Sequence, residues 1–308
     1  MAYKFNPKLF IPGKQKHIDL SAKLLKSVLV LGAVIEARDA YTGGHTWRVG
    51  QYSRLLAEQA GLAPSEIFLA SLGGFVHDIG KIGIPDRILA KPERLTNDEF
   101  ALIKTHPLVG ATLLADHPLG PLVLDAITHH HERFDGQGYP GKLTEERLSI
   151  YPRIIAVADT FDAMTSIRSY SKGMPKEEAL AQLSAASGHH LDGTLVSDFL
   201  ALAAKGSLDC ILGHSDESRP LVNCPMDGPI LALPRNKKDG DVVHCHACKG
   251  LYRLHIVTGS FELEPLMQKR FDLQPEADLE QIDELARRAP RRVKVASSES
   301  YSVRSYIG

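Results

Sequence analysis

Histidine and aspartate recur in this 308-residue chain at positions that could hold metal ions: His77-Asp78, His106, His130-His131 and Asp159. Adjacent residues on a helix differ by about 100° in direction. His77 and Asp78 can therefore reach two sides of one site but not one point. That suits a carboxylate shared by two cations with an imidazole on each, and His130-His131 can do the same from a facing helix. Asp159 ends the apolar run Ile155-Ala-Val-Ala-Asp159, and a buried carboxylate needs an imidazole or a cation beside it. A donor set of imidazole and carboxylate favours Fe, Mn, Zn, Co or Ni over Mg or Ca. Two such ions about 3.5–4 Å apart can clamp a phosphodiester and turn the water between them into a hydroxide that attacks phosphorus in line. Lys81, four residues after His77, can neutralise a phosphate oxygen. Taken singly these residues have blander readings: a cap or surface group for His106, a salt bridge for His77-Asp78.

Such a site needs helices to carry it. Residues 18 to about 205 show helical periodicity, with Leu24, Leu25, Val28, Leu31, Val34 and Ile35 as the first apolar face. Val49, Tyr52, Leu55 and Leu56 form a second, which Gly61 stops. Pro64 suits the first turn of a third helix running into His77-Asp78. Thr96 with Glu99 fits a capping box, and Pro107 interrupts that helix or starts another. Further helices are expected over 122–132, over 154–166, and from Pro175 to a stop at Gly188.

Beyond about 205 the pattern turns to short β-like runs at 242–243, 251–257 and 261–263 among Pro and Gly turns. The four cysteines, Cys210, Cys224, Cys245 and Cys248, all fall here. Their clustering in a chain without a signal-peptide pattern points to metal rather than to a disulfide framework. Cys210 reads as a buried small hydrophobe. A short helix fits 275–288, and the basic, then Ser-rich end from Pro290 reads as a solvated tail. A net charge of −1 gives no general attraction to nucleic acid or anionic membrane. With no run long enough to span a bilayer, a cytoplasmic location is the expectation.

The motifs also resemble a known family. His77-Asp-x-Gly-Lys81 resembles the signature of HD-domain phosphohydrolases, and the segment from His130-His-Glu to Gly138-Tyr139-Pro140 resembles the second signature of the HD-GYP group. Glu36 to His45, Ile84-Pro-Asp86, His106-Pro107 and Ala156 to Thr165 extend the resemblance over roughly residues 25–205. It implies a mainly α fold, an HD-domain helical bundle, and hydrolysis of cyclic di-GMP to pGpG and often on to GMP. It puts His77, Asp78, His106, His130, His131 and Asp159 at metal-ligand positions, Asp78 bridging two ions, Fe or Mn first among the candidates. Lys81 falls at a phosphate contact, and Gly138 and Tyr139 on a loop linked to substrate access and protein partners.

Three departures bear on the site. Tyr41 stands where some relatives carry a Glu that helps hold a third metal, so two ions are expected. That leaves His45 as a weak ligand, a substrate contact or a structural group. Arg168 and Lys172 remain candidate substrate contacts, but Ser171 replaces a second Arg. Gly188 to Gly193 replaces a stretch usually ending in Asp-Pro, and His189, His190 and His129 are left as non-ligands or unassigned. In the last third, Cys224 with Asp227, and Cys245 with Cys248, resemble the two knuckles of a zinc ribbon. Asp227 stands where a fourth Cys is usual, and His244 and His246 are other candidates for that place. The expected organisation is an N-terminal extension (1–17), an HD-GYP catalytic domain (18–205), a zinc-ribbon-like β module (206–266), and a short helix with a basic tail (267–308). Expected partners are the cyclic dinucleotide and a protein bound through the Gly-Tyr-Pro loop or the β module; neither membrane nor nucleic acid is expected. A phosphohydrolase acting on another cyclic dinucleotide and a non-hydrolysing cyclic di-GMP receptor are the alternatives.

Overall fold

The computed structural model describes residues 16–38, 43–89, 91, 93–166, 173–216, 218–226, 230–245, 248–257, 260–272 and 278–295. Among these the fold is mainly helical, with small antiparallel sheets in the last third. After a short strand β1 (Lys16–Asp19), the chain forms α1 (Ala22–Arg38), α2 (His45–Gln59) and α3 (Pro64–Val76). A 3₁₀ turn (Ile79–Gly83) leads through α4 (Asp86–Leu89) and α5 (Asn97–Ile103) to α6 (His106–Leu114) and α7 (Gly120–His129). The helices α8 (Ile150–Thr165), α9 (Lys176–Ala185) and α10 (Gly193–Ala204) complete the bundle.

Local chemistry sets several of these ends. Pro64 and Pro107 lie in the first turns of α3 and α6. Glu99 N–H donates to Thr96 Oγ1 at 3.2 Å while Thr96 N–H donates to Glu99 at 2.7 Å, the reciprocal cap of α5. Asp192 caps α10 and also pairs with Arg153 of α8 at 2.9 Å. The apolar faces of α1, α2, α3, α7, α8 and α10 share one core. Within it Tyr52, Phe161 and Phe199 meet edge to face, with centroids 5.1–5.9 Å apart. Gly80 brings the 3₁₀ turn onto the start of α6. A Cβ there would lie 1.8 Å from the His106 carbonyl oxygen, so only glycine lets the His77-Asp78 segment approach His106 this closely.

The last third holds β2 (His214–Asp216), β3 (Arg219–Asn223) and β4 (Ile230–Ala232) in one antiparallel sheet. A second contains β5 (Val242–His244), β6 (Gly250–Val257) and β7 (Ser260–Lys269). Cys224, Leu231, Leu233, Val243, Cys245, Tyr252 and Leu254 form a separate small core between them. Cys210 is exposed, contrary to expectation: Leu208 and Ile211 take the inward positions of its turn.

Described residues from both chain ends join the fold, and the short helix expected over 275–288 forms. Helix α11 (Leu279–Arg288) buries Ile282 and Ala286 in the main core, and Asp283 pairs with Lys26 of α1 at 2.5 Å. Strand β8 (Arg292–Val295) pairs antiparallel with β1, Ile18 opposite Val293. Residues 292–295 of the segment read as a solvated tail therefore pair with residues 16–19, of which 16 and 17 fell in the expected extension, and Val293 is buried in the main core; residues 1–15 and 296–308 lie outside the described residues.

Candidate metal centre

His77 is the C-cap of α3, His106 opens α6, and His130 caps α7 with His131 just beyond. Three of these imidazoles are oriented alike. Nδ1 of His77 donates to the Gly74 carbonyl at 2.8 Å, that of His106 to Ile103 at 2.8 Å, and that of His130 to Ile127 at 2.9 Å. Each helix end thus fixes the tautomer and leaves Nε2 with a free lone pair directed inward. Nε2 of His77 is buried without a hydrogen-bond partner. Nε2 of His106 and of His130 face each other at 3.1 Å. Two lone pairs at that distance repel unless a cation lies between them.

Asp78 divides its two oxygens between the rings. Oδ1 lies 3.2 Å from His106 Nε2 and 4.0 Å from His130 Nε2. Oδ2 lies 3.3 Å from His77 Nε2, 3.5 Å from His45 Nε2 and 2.6 Å from Lys81 Nζ. Asp159 Oδ1 closes the second side, 3.5 Å from His45 Nε2 and 3.9 Å from His77 Nε2. Two donor sets therefore share one carboxylate. Asp78, His106, His130 and His131 form one group able to hold a cation, and His45, His77 and Asp78 form another. The unpartnered nitrogens and facing lone pairs fit the two transition-metal ions that the donor set favours.

Charge follows the same division. Burial alone would raise Asp78, but the Lys81 ammonium and then the imidazoles around it hold it well below the usual carboxylate range. Burial, reinforced by neighbouring imidazoles, lowers His130 and pushes His131 down to about 3. Both rings are neutral near pH 7, the form that binds metal. His45 differs: burial opposes its charged form, yet the bonds to Asp162 and Asp78 raise it to about 9, and a cation at Nε2 would take the place of that proton.

His45 lies beside this centre, its Nε2 directed at Asp78 and Asp159. Its Nδ1 bonds Asp162 Oδ2 at 2.8 Å. Asp162 is the fully buried carboxylate of α8, whereas Asp159 is partly open to solvent. The apolar run around Asp159 had suggested a buried carboxylate there. Asp162 and its partner Arg48 are the functional groups that sequence reasoning passed over; their spacing, one helical turn after Asp159 and after Gly44 respectively, was the available signal.

The Gly-Tyr-Pro loop is tied to the ligand helix. Buried Glu132 accepts backbone N–H groups of Gly141 and Leu143, and Tyr139 N–H donates to the His131 carbonyl. The Tyr139 ring stacks on His131, centroids 4.8 Å apart, and Lys104 Nζ lies 5.8 Å from the same ring. Gly138 packs against the backbone of residues 131–133. His129 turns away and bonds Asp125, and His189 and His190 are exposed. Arg168, Lys172 and Tyr41 lie outside the described residues.

In the β module, Cys224, Cys245 and Cys248 bring their sulfurs within 4.8 Å of one another. Cys224 and Cys248 Sγ are 3.6 Å apart, close to the edge of about 3.8 Å in a zinc tetrahedron with bonds near 2.3 Å. The Tyr252 hydroxyl lies 3.1 Å from Cys224 Sγ and 3.0 Å from Cys248 Sγ, and Gly250 N–H donates to Cys248. Burial works against the Cys248 thiolate, but these donors lower its pKa overall. Asp227 and His246 lie outside the described residues, while His244 Nε2 bonds the Arg270 carbonyl.

The HD-domain family model matches residues 29–195. The chain is 38% identical over 194 residues to a cyclic di-GMP phosphodiesterase of Vibrio cholerae, a match covering 58% of this chain and 39% of that protein. It is 42% identical over 183 residues to a cyclic di-GMP phosphodiesterase of Thermotoga maritima, covering 58% of this chain and 49% of that one. A 3'3'-cGAMP-specific phosphodiesterase of V. cholerae is 34% identical over 211 residues, covering 66% of this chain and 40% of the relative. The match thus spans less than half of each relative's own length. The chain belongs to the HD-domain family and is homologous to its HD-GYP cyclic di-GMP phosphodiesterases.

Proposed function

We propose that this chain is a metal-dependent phosphodiesterase of cyclic dinucleotides, with cyclic di-GMP as its substrate. The observation that carries the reading is the division of the Asp78 carboxylate between two sets of inward-facing imidazole nitrogens. Two Fe or Mn ions would be held with Asp78 between them, His77, Asp159 and His45 offering donors on one side and His106, His130 and His131 on the other. When bound, the ions supply an activated water and screen the phosphate charge. The residues do the rest. The three Nδ1 donors keep the rings in the binding tautomer. Lys81, 2.6 Å from Asp78 in the free chain, turns to a non-bridging phosphate oxygen when substrate enters. Tyr139, braced on His131, walls the entrance against a guanine face. The three-cysteine cluster takes a structural zinc that adds stability to a β core too small to be firm alone.

One observation favours a second substrate: the matched relatives include a 3'3'-cGAMP-specific enzyme as well as cyclic di-GMP enzymes. Steady-state hydrolysis of both dinucleotides by the Mn-loaded protein separates them. A kcat/KM at least tenfold higher for cyclic di-GMP is expected. A reversed ratio would transfer the assignment to cGAMP.

A further inference from the structure

Among the described residues Arg48 is the largest of the fully buried side chains, about 1% exposed. All five of its N–H donors are used. Nε reaches Asp162 Oδ1 at 2.5 Å, and Nη2 reaches Asp162 Oδ2 at 3.1 Å and Ser166 Oγ at 3.0 Å. Nη1 donates to the Gly43 carbonyl at 2.8 Å and to the His214 carbonyl at 2.9 Å. His214 opens β2, far along the chain from the bundle helices. The next residue, Ser215, lies against the turn that starts α2: a Cβ on Gly44 would stand 2.3 Å from Ser215 Cα. The Ser215 carbonyl in turn accepts Gln281 Nε2 of α11 at 2.6 Å. From the other side, Glu36 of α1 accepts the Thr46 hydroxyl and N–H.

We propose that the His214–Ser215 strand, through Arg48 and Asp162, positions the His45 ring at the metal centre, making the C-terminal segment a built-in part of that centre. Four contacts follow in sequence: the His214 carbonyl fixes the guanidinium, the guanidinium fixes Asp162, Asp162 fixes His45 Nδ1, and His45 Nε2 meets Asp78 and Asp159. His45 is thereby the one imidazole of the centre oriented by a carboxylate in the described residues, where His77, His106 and His130 use helix carbonyls. A carboxylate partner makes an imidazole a stronger metal donor, and removing such a partner typically weakens metal binding 10- to 100-fold. Arg48 touches neither the reacting atoms nor the metal positions; it is a positioning residue. The inference rests on the metal-centre reading above.

Two glycines give a matched test. Gly44 and Gly61 both have a φ of +76°, but nothing lies within 4 Å of a Cβ on Gly61. Gly44→Ala and Gly61→Ala therefore carry the same backbone strain, and only the first pushes on β2. Arg48→Lys keeps a cation beside Asp162 but cannot also hold the His214 carbonyl. Gln281→Leu loosens β2 from α11 without touching the centre. Mn²⁺ affinity, metal content per chain and far-UV circular dichroism are measured on the full chain. Gly44→Ala and Arg48→Lys should stay helical and bind Mn²⁺ about 10- to 100-fold more weakly, Gln281→Leu a few-fold more weakly, and Gly61→Ala as wild type. Folded Arg48→Lys and Gln281→Leu proteins with wild-type Mn²⁺ affinity would overturn the proposal. A wild-type chain that takes no metal would refute the metal centre instead. The brace is then read from imidazole ¹⁵N signals: a hydrogen-bonded Nδ1–H on His45 that persists unchanged in Arg48→Lys contradicts it, and its loss supports it.

Discussion

Asp78 and Lys81 separate two tasks that a single mutation series can distinguish. Asp78 faces both halves of the centre, while Lys81 Nζ lies 2.6 Å from Asp78 Oδ2. Lys81→Met should leave metal content at the wild-type level and lower kcat about 100-fold, since one charge facing the reacting phosphate is lost. Metal analysis beside steady-state kinetics checks both halves of that statement. The Asp and His identities were legible in the sequence because adjacent His-Asp and His-His pairs have few structural uses. The choice of buried carboxylate in α8 was not. Asp159 and Asp162 both follow apolar residues, and only the packing of Arg48 from α2 decides that Asp162 is the enclosed one.

At the scale of elements, the site depends on how helix ends converge. Glu132 is buried and accepts two backbone N–H groups of the loop that carries Tyr139. Glu132→Ala would leave both donors unsatisfied, at about 1–3 kcal/mol each. A fall in thermal midpoint together with a raised KM is expected, and calorimetry with kinetics on the same variant tests it. The capping box of α5 and the Pro-initiated starts of α3 and α6 were legible because their signals lie within one turn. The pairing of β1 with β8 was not: each strand has four residues, and their partnership spans nearly the whole chain. The position of α11 against α1 escaped for the same reason, although its Ile282, Leu285 face was visible as a pattern.

At the scale of the whole molecule, the C-terminal segment is held together by charge as well as by apolar contact. Asp278 caps α11 and pairs with Arg235 at 2.8 Å and Arg219 at 2.5 Å, and Arg235 also reaches Asp216 of β2. Burial raises the Asp278 pKa, but the bonds from Arg235, Gln281 and Arg219 bring it below its ordinary 3.8. As pH falls, the unfolded chain therefore takes up the proton first. The stability gained is full above the unfolded value and lost as pH drops through the folded one. Asp278→Asn should be about 1 kcal/mol less stable than wild type at pH 7, with the gap closing below pH 3 to 4; denaturant titrations at both pH values show whether it does. The zinc assignment makes a separate prediction. Cys248→Ser should lose about one zinc per chain and lower the stability of the β module while leaving the Mn²⁺ sites filled, as metal analysis would report.

The central claim is that a carboxylate-bridged metal pair in the helical bundle hydrolyses a cyclic dinucleotide. Its most direct test is incubation of anaerobically purified, Mn- or Fe-loaded protein with cyclic di-GMP beside an Asp78→Ala control, with products resolved by chromatography. Formation of pGpG or GMP that requires metal and vanishes in Asp78→Ala is the predicted result. A fully metallated wild-type chain that leaves the dinucleotide intact would contradict the account.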